Sequence, residues 1–595
     1  MNSVMTIYYA NKLLCAIKEE FVVKRENFTN SALKHKLNNE AVDSSNIEEK
    51  KERSEVQEQE NRCEKKKKRG QNKFRPQTIH DDKRCRPCPS IIGLTSENTA
   101  AKCHYKNCQF IHDPLEYLKV KPADIGNECH VFKLRGKCSR GIACRFGSSH
   151  ITPEGYNIID PDKENAWKED TFNSMQPTLQ SQLQTRKYDF SLSEKLVRHF
   201  DKRNNPVNNK DESKIPEDSE QTKPSGTITD EDVIKILQRE RKQIDWNDKL
   251  YLSPLTTVGN LPFRRICKEF GVDITCGEMA LCPSILKGLV QEWALVKRHS
   301  TEDLFGVQIC GNNAYLIAKV AQLLKDTSQV NFVDLNLGCP IDLVYKKGGG
   351  CGMMHRLQAL ETSVKSASAV LDIPFTVKMR TGIYQDKKIA HTVMPQVAEW
   401  GASLVTLHGR SKEARYTRSA DWEYIETCAK VTAPCPVYGN GDILSYEEYK
   451  QKRETAPTIK GVMIGRGALI KPWIFTEIKE KKLWDISSKE RFDIIKKYTN
   501  YGLEHWGADT RGVENTRRFL LEWLSFLYRY VPVGLLERPP QKVNERPPIY
   551  HGRDELETLM ASGNCADWIK LSEMLLGPVP EGFRFLPKHR ANSYQ

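Results

Sequence analysis

Nowhere in the 595 residues is there a run of 18 apolar positions, so no segment reads as a membrane-spanning helix. The first residues do not compose an export signal either. Asn11 and Lys12 interrupt the apolar stretch Ile7 to Ile17, which makes a poor signal peptide and a weak transit peptide. There are 18 cysteines, but they lack the short, even spacing of a disulfide-stapled secreted domain. They read instead as thiols of a reduced intracellular chain. No Gly-x-Gly-x-x-Gly follows an early strand candidate, which counts against a dinucleotide-binding open sheet. Acidic charge is in deficit, and the net charge of +14 points to a polyanionic partner.

Part of that charge is local. Arg62 to Arg75 holds eight basic residues and one acidic residue, a difference of +7. Within it, Lys65 to Arg69 reads as a nuclear localisation signal, a phosphate-binding arm or a solvated charge run. The compartments expected are cytoplasm and nucleus. Residues 1–80 are polar, with a Glu-, Ser- and Asn-rich stretch from Asn39 to Glu60, and disorder is expected there.

Seven cysteines fall between residues 85 and 144. Cys129, Cys138, Cys144 and His150 are spaced so that three thiolates and an imidazole can close a tetrahedral zinc site. Cys88, Cys103, Cys108 and His112 repeat the arrangement, with Cys85 competing for the first ligand position. Phe110 and Phe146 each stand two residues past the third cysteine, and Phe132 and Phe146 are aromatics that could stack on bases. A repeated pattern favours zinc over unrelated cysteines. The spacings resemble those of CCCH zinc fingers, a family that binds RNA. Residues 151–228 read as a polar linker with one short helix near Leu192 to His199. A further helix is expected from Thr229.

From Lys249 short apolar runs alternate with amphipathic ones. Strand candidates are Leu250–Leu255, Ile274–Cys276, Leu304–Ile309, Phe332–Asn336, Phe375–Met379, Leu404–His408, Pro436–Gly439 and Gly461–Ile464. Eight strands with helices between them describe an α/β fold, a (β/α)8 TIM barrel over residues 229–479; a doubly wound sheet is the alternative. Residues 480–595 read as a basic helical domain, with Arg517, Arg518, Arg529, Lys542, Arg546, Arg553 and Lys570 offering an RNA-facing surface or merely a solvated one.

Polar residues fall at the C-terminal ends of those strands, the face where this fold puts its chemistry. They are Pro254, Gln308, Asn336 with Cys339, Lys378 with Arg380, His408 with Arg410, Asn440-Gly441-Asp442, and Gly465-Arg466. Gly-rich turns with an arginine after strands seven and eight suit a phosphate group. Cys351 lies in the glycine-rich loop that follows Cys339 and competes with it as a reactive thiol.

With these residues assembled, the chain resembles the tRNA-dihydrouridine synthases. The motifs that carry the resemblance are Asn336-Leu-Gly-Cys-Pro340, Lys378-Met-Arg380, Leu407-His-Gly-Arg410, Gly439-Asn-Gly-Asp442 and Ile464-Gly-Arg-Gly467. The resemblance implies an FMN-binding barrel joined to a C-terminal helical domain that binds tRNA. Two fingers ahead of it match one eukaryotic subclass, which reduces uridine 47 of tRNA. It implies Cys339 as general acid, Asn336 and Arg380 as substrate-positioning residues, and Pro254, Gln308, Lys378, His408, Asn440, Gly441, Asp442, Gly465 and Arg466 as FMN contacts. NADPH or NADH would be the reductant, Zn2+ would fill the fingers, messenger RNA stays open as a second substrate, and a monomer is expected. Two rival readings are a small-molecule flavin reductase similar to dihydroorotate dehydrogenase, and an inactive barrel serving as an RNA-binding regulator.

Overall fold

Eight short parallel strands close on themselves in the computed structural model, which describes residues 14–23, 83–100, 102–201 and 242–588. They are β1 (Leu250–Leu252), β2 (Ile274–Cys276), β3 (Leu304–Cys310), β4 (Phe332–Leu337), β5 (Phe375–Arg380), β6 (Leu404–His408), β7 (Val437–Asn440) and β8 (Gly461–Ile464). Val462 of β8 pairs with Leu250 of β1, and Ile274 of β2 with Leu304 of β3. That closure excludes the open doubly wound sheet. Helices lie between successive strands, so both faces of the sheet are covered and the strands read as continuous apolar runs.

Inward-facing residues recur with the two-residue period of a strand. At the N-terminal end Tyr251, Phe332 and Tyr438 meet edge to face under Trp246 and plug the barrel. Their room comes from glycines on neighbouring strands. A Cβ at Gly306 would lie 2.2 Å from the Phe332 ring, and one at Gly461 2.5 Å from Tyr438. The plug leaves the C-terminal end as the face open to chemistry.

Finger two contributes α1 (His130–Arg135). Residues expected as a linker are folded: α2 (Pro177–Gln184) and α3 (Ser191–Phe200) bury Leu179, Leu183, Leu196 and Val197 against the barrel. A leucine repeat at helical spacing, diluted by glutamines, hid an amphipathic face there. Residues 202–241, the rest of that linker together with the helix expected from Thr229, lie outside the described residues, as does Lys65–Arg69. Residues 14–23, expected to be part of a disordered tail, run along residues 535–551 with Cys15 and Ile17 buried.

Around the barrel stand α4 (Leu261–Glu269), α5 (Ala314–Thr327) and α6 (Leu357–Val370). The C-terminal unit is built on α7 (Ser488–Trp506), α8 (Thr510–Leu527) and α9 (Cys565–Leu576). Ser487 and Glu490 form a reciprocal capping box that starts α7, and Asp509 caps α8. Among the described residues no helix is long and apolar enough to cross a membrane.

Candidate active site and metal centres

The register of the barrel places the polar rim at one level. Gln308 pairs with Asp334, Asn336 with Lys378, Arg380 with His408, and His408 with Asn440. Asp334 is fully buried and is the anchor of this set. It accepts from Gln308 Nε2 at 2.7 Å and from Thr376 Oγ1 at 2.6 Å. Gln308 Oε1 then accepts from Asn336 Nδ2 at 2.8 Å. Asn336 Oδ1 in turn accepts from the backbone N–H groups of Gly338 and Cys339 at 3.1 and 2.8 Å. A relay of hydrogen bonds thus runs from the barrel interior to the loop that carries the Cys339 thiol. Sequence reasoning missed Asp334. Its signal was a lone charge in an apolar strand, two residues before Asn336 and so on the same side of the sheet.

The Cys339 thiol is 7% exposed, whereas Cys351 is fully enclosed. Burial raises both, Cys351 to about 11, while the Ile341 backbone N–H and Arg380 act against the rise at Cys339. Both thiols therefore carry their protons at neutral pH. The Cys351 backbone N–H donates to Cys339 O at 3.3 Å. Gly350 has φ +54°, and a Cβ there would sit 2.8 Å from that same carbonyl oxygen. The glycine-rich loop is thus required for close approach to the Cys339 backbone.

Four cations bear on this rim. Burial first, then Arg380, Lys378, Arg410 and Arg466, push His408 far below its usual value, so the imidazole is neutral. Lys378 is lowered to about 8, chiefly by burial and then by Arg380, with Asp334 opposing. Among the described residues no hydrogen bond reaches its ammonium. Arg380 is held by Gly338 O at 2.9 Å and Ser411 O at 3.0 Å. Asp442 binds Arg410 and Arg466, each at 2.6 Å, and also accepts from Ala420 N–H at 2.7 Å. Tyr416 lies under Arg466 at 4.2 Å and stacks on His408. Arg466 also donates to Asn544 Oδ1 of the C-terminal unit at 3.1 Å, a contact no sequence motif signalled.

Asp442 thus orients two arginines and is not aimed at an anion itself. Asn440 donates to Met463 O at 2.7 Å and ties β7 to β8. Gly441 follows with φ +141°, and Gly465 precedes the short helix Arg466–Ile470. Pro254 is half-buried just past β1. The donor set fits a flavin mononucleotide: arginines and glycine turns at one end for a phosphate, and the Lys378 ammonium with polar amides for a ring edge.

The cysteine clusters also converge. Ligand atoms of Cys88, Cys103, Cys108 and His112 lie within 4.8 Å of one another, and so do those of Cys129, Cys138, Cys144 and His150. Cys85 is exposed and outside the first group, so Cys88 and not Cys85 is the thiol that converges with the other three. The sulfur pairs Cys88–Cys103 and Cys129–Cys144 are each 3.7 Å apart. Two thiolates bound to one tetrahedral zinc at ~2.3 Å stand roughly 3.8 Å apart. Asn157 Nδ2 donates to Cys138 O at 3.1 Å, which turns its Oδ1 toward His150 Nδ1 at 3.1 Å. His150 Nε2 is buried without a hydrogen-bond partner. An imidazole held at one nitrogen and unpaired at the other fits a metal ligand.

Two expectations are narrowed here. Phe146 is buried against Leu503, Ala508 and Val513, which removes it as a base-stacking surface, while half-buried Phe132 packs on the His150 ring at 5.2 Å. In the C-terminal unit Arg517 is buried on Ser572, Leu576 O and Gly577 O, and Arg529 on Val543 O and Glu545 O. Arg553 pairs with Asp485 and Glu557, and Lys570 with Asp567. Of the seven cations proposed as an RNA-facing surface, Arg518, Lys542, Arg546, Arg553 and Lys570 are exposed.

A family profile described as "Dihydrouridine synthase (Dus)" matches residues 251–524. A Xenopus laevis protein named tRNA-dihydrouridine(47) synthase [NAD(P)(+)]-like is 53% identical over 547 residues, covering 90% of this chain and 84% of that one. A human protein of the same name is 51% identical over 555 residues, covering 89% and 84%. A third, from Arabidopsis thaliana, is 40% identical over 592 residues, covering 85% of each.

Proposed function

The chain belongs to the dihydrouridine synthase family, and from that premise we propose that it saturates the 5,6 double bond of a uridine in tRNA, at position 47, with FMN as cofactor and NADPH or NADH as reductant. The observation that carries the reading is the convergence of Asn336, Cys339, Lys378, Arg380 and His408 on one rim of a closed barrel. Arg410, Arg466, Gly441 and Gly465 would hold the phosphate, with Asp442 setting the two arginines. Gln308, Lys378 and His408 would hold the ring. A flavin mononucleotide held by these residues would supply hydride-transfer chemistry toward carbon 6 of the uracil.

The chain's own part is then the second hydrogen. Carbon 6 gains the hydride, the double bond opens, and carbon 5 takes up a proton. Cys339 supplies it: its thiol is raised and so protonated at neutral pH, and it is the more accessible of the two loop cysteines. The thiolate left behind regains a proton from solvent. The relay from Asp334 through Gln308 to Asn336 fixes the backbone that aims the thiol. Neutral His408 can donate or accept a hydrogen bond without adding charge. The target uridine must leave its stack to reach the rim. The same chemistry would accept a uridine extruded from messenger RNA. Zinc in the two Cys3His sets would supply fixed tetrahedral links in the fingers.

Two features favour this over the rivals. A small substrate needs neither metal-ligand set, and an inactive barrel needs no ordered relay to a thiol. Incubating purified protein with NADPH and unmodified tRNA transcript should yield dihydrouridine in the variable loop, read by mass spectrometry of nuclease fragments. Product elsewhere in the tRNA would overturn the position, and none at all would overturn the reaction.

A further inference from the structure

The two metal-ligand sets repeat in sequence but face different surroundings. In the second, all four ligands are buried, and the finger shares one apolar cluster with Leu503, Ala508, Val513 and Leu576 of the C-terminal unit. Arg145 N–H donates to Ala508 O at 2.8 Å, and Arg140 donates to Trp506 O at 3.1 Å. His130 Nε2 lies 2.8 Å from Glu504, which also binds Arg265 of α4 at 2.7 Å. The finger, α7 and the barrel are therefore bolted through one carboxylate. Its cations are spent as well. Lys121, Lys133, Arg135, Lys137 and Arg140 pair with Asp124, Glu128, Asp170, Glu164 and Asp509.

The first finger is the reverse. It is mounted firmly, since Ile91, Leu94 and Tyr117 pack with Ile142 of finger two and Asn157 N–H donates to Leu94 O at 2.8 Å. Yet its ligand loop points outward: His112 is exposed and Tyr105 is 79% exposed. Tyr105 stands two residues after the second cysteine, where finger two has Arg140 gripping Trp506 O. Phe110, the counterpart of buried Phe146, is only half-buried. Lys102, His104 and Lys106 flank the tyrosine, all exposed and, among the described residues, none in an ion pair. No acidic residue occurs from Asn98 to His112.

We propose that the fingers divide the work: the second is a structural fastener between barrel and C-terminal unit, and the first alone presents an RNA face, taking an unpaired nucleotide against Tyr105 with its phosphates among Lys102, His104 and Lys106. The inference rests on the reading that the chain acts on RNA. An exposed aromatic between unpaired cations matches a base with its flanking phosphates, and RNA is the polyanion that the reaction already brings to the surface.

The test uses the full-length holoprotein with fluorescently labelled unmodified tRNA. Tyr105→Ala should weaken binding by about 5- to 150-fold, the range spanned by the loss of one base–aromatic stack. Zinc content, melting temperature and flavin bleaching by NADPH should stay as in the wild type. Lys102→Gln with Lys106→Gln should flatten the salt dependence of binding by about one to two in slope. Lys133→Gln on finger two should leave affinity unchanged. Cys138→Ser should lose one zinc and lower the melting temperature of the whole protein. Unaltered affinity in Tyr105→Ala would overturn the division and leave a protein partner for finger one, and an equal loss in Lys133→Gln would overturn it by giving finger two an RNA face as well. A wild-type chain that reduced tRNA while Tyr105→Ala bound it normally would overturn the finger assignment alone. A wild-type chain that bound no tRNA would overturn both readings.

Discussion

Two cysteines in one loop present the sharpest choice at the scale of single residues. On the proposed reading Cys339 protonates the uracil and takes no part in reduction of the flavin. Cys339→Ala should therefore keep the yellow cofactor and bleach normally with NADPH. Its reoxidation by tRNA should slow by roughly 10²–10⁴-fold, the usual contribution of a positioned general acid. Cys351→Ala should leave both half-reactions nearly intact, because that thiol is fully enclosed. Stopped-flow absorbance in both directions reads the result, and the reverse pattern would exchange the two roles. Lys378 offers a separate check. Its folded value is lowered to about 8 from 10.5, so between those values the unfolded chain binds more protons and stability rises with pH. In cofactor-stripped protein, the melting temperature of wild type relative to Lys378→Met should climb from pH 8 to 10; a flat difference would contradict it. Most rim residues were legible because strand ends in a barrel carry chemistry. Asp334 and Asn544 were not, since one hides inside a strand and the other arrives from a distant loop.

At the scale of elements, seven of the eight strands were readable to within a residue at each end, because buried parallel strands are short apolar runs between turns, while β1 stops at Leu252 and not at Leu255. Ile274–Cys276, Leu404–His408 and Gly461–Ile464 have the bounds their sequence suggests. Residues 177–200 were not readable as part of the barrel, because glutamine and lysine dilute their apolar stripe. Their packing makes a prediction. Leu183→Ala or Leu196→Ala should cost about 2–5 kcal/mol, as truncation of a buried leucine does. Urea unfolding followed by flavin release should show it; a free linker would show no change. In finger two the spacing pointed to four side chains that the structure brings together, but it gave no sign that Phe146 is covered. Spacing specifies which atoms meet a metal, but not which side of the finger is covered by α7 and α8.

For the whole molecule, the proposed single phosphate cradle after β7 and β8, with no second nucleotide fingerprint in the sequence, calls for FMN and not FAD. Heat-released cofactor identified by chromatography should be FMN, and FAD would contradict the site. The barrel, the C-terminal unit, finger two and the strap of residues 14–23 share buried contacts, whereas finger one projects its cationic loop to solvent. The most direct measurement is a single turnover without oxygen. Protein bleached with one equivalent of NADPH is mixed with unmodified tRNA, and the flavin spectrum and the tRNA are followed together. The account predicts that the yellow colour returns in step with one dihydrouridine per flavin. A flavin that stays bleached with tRNA but is reoxidised by a free pyrimidine such as orotate would contradict it.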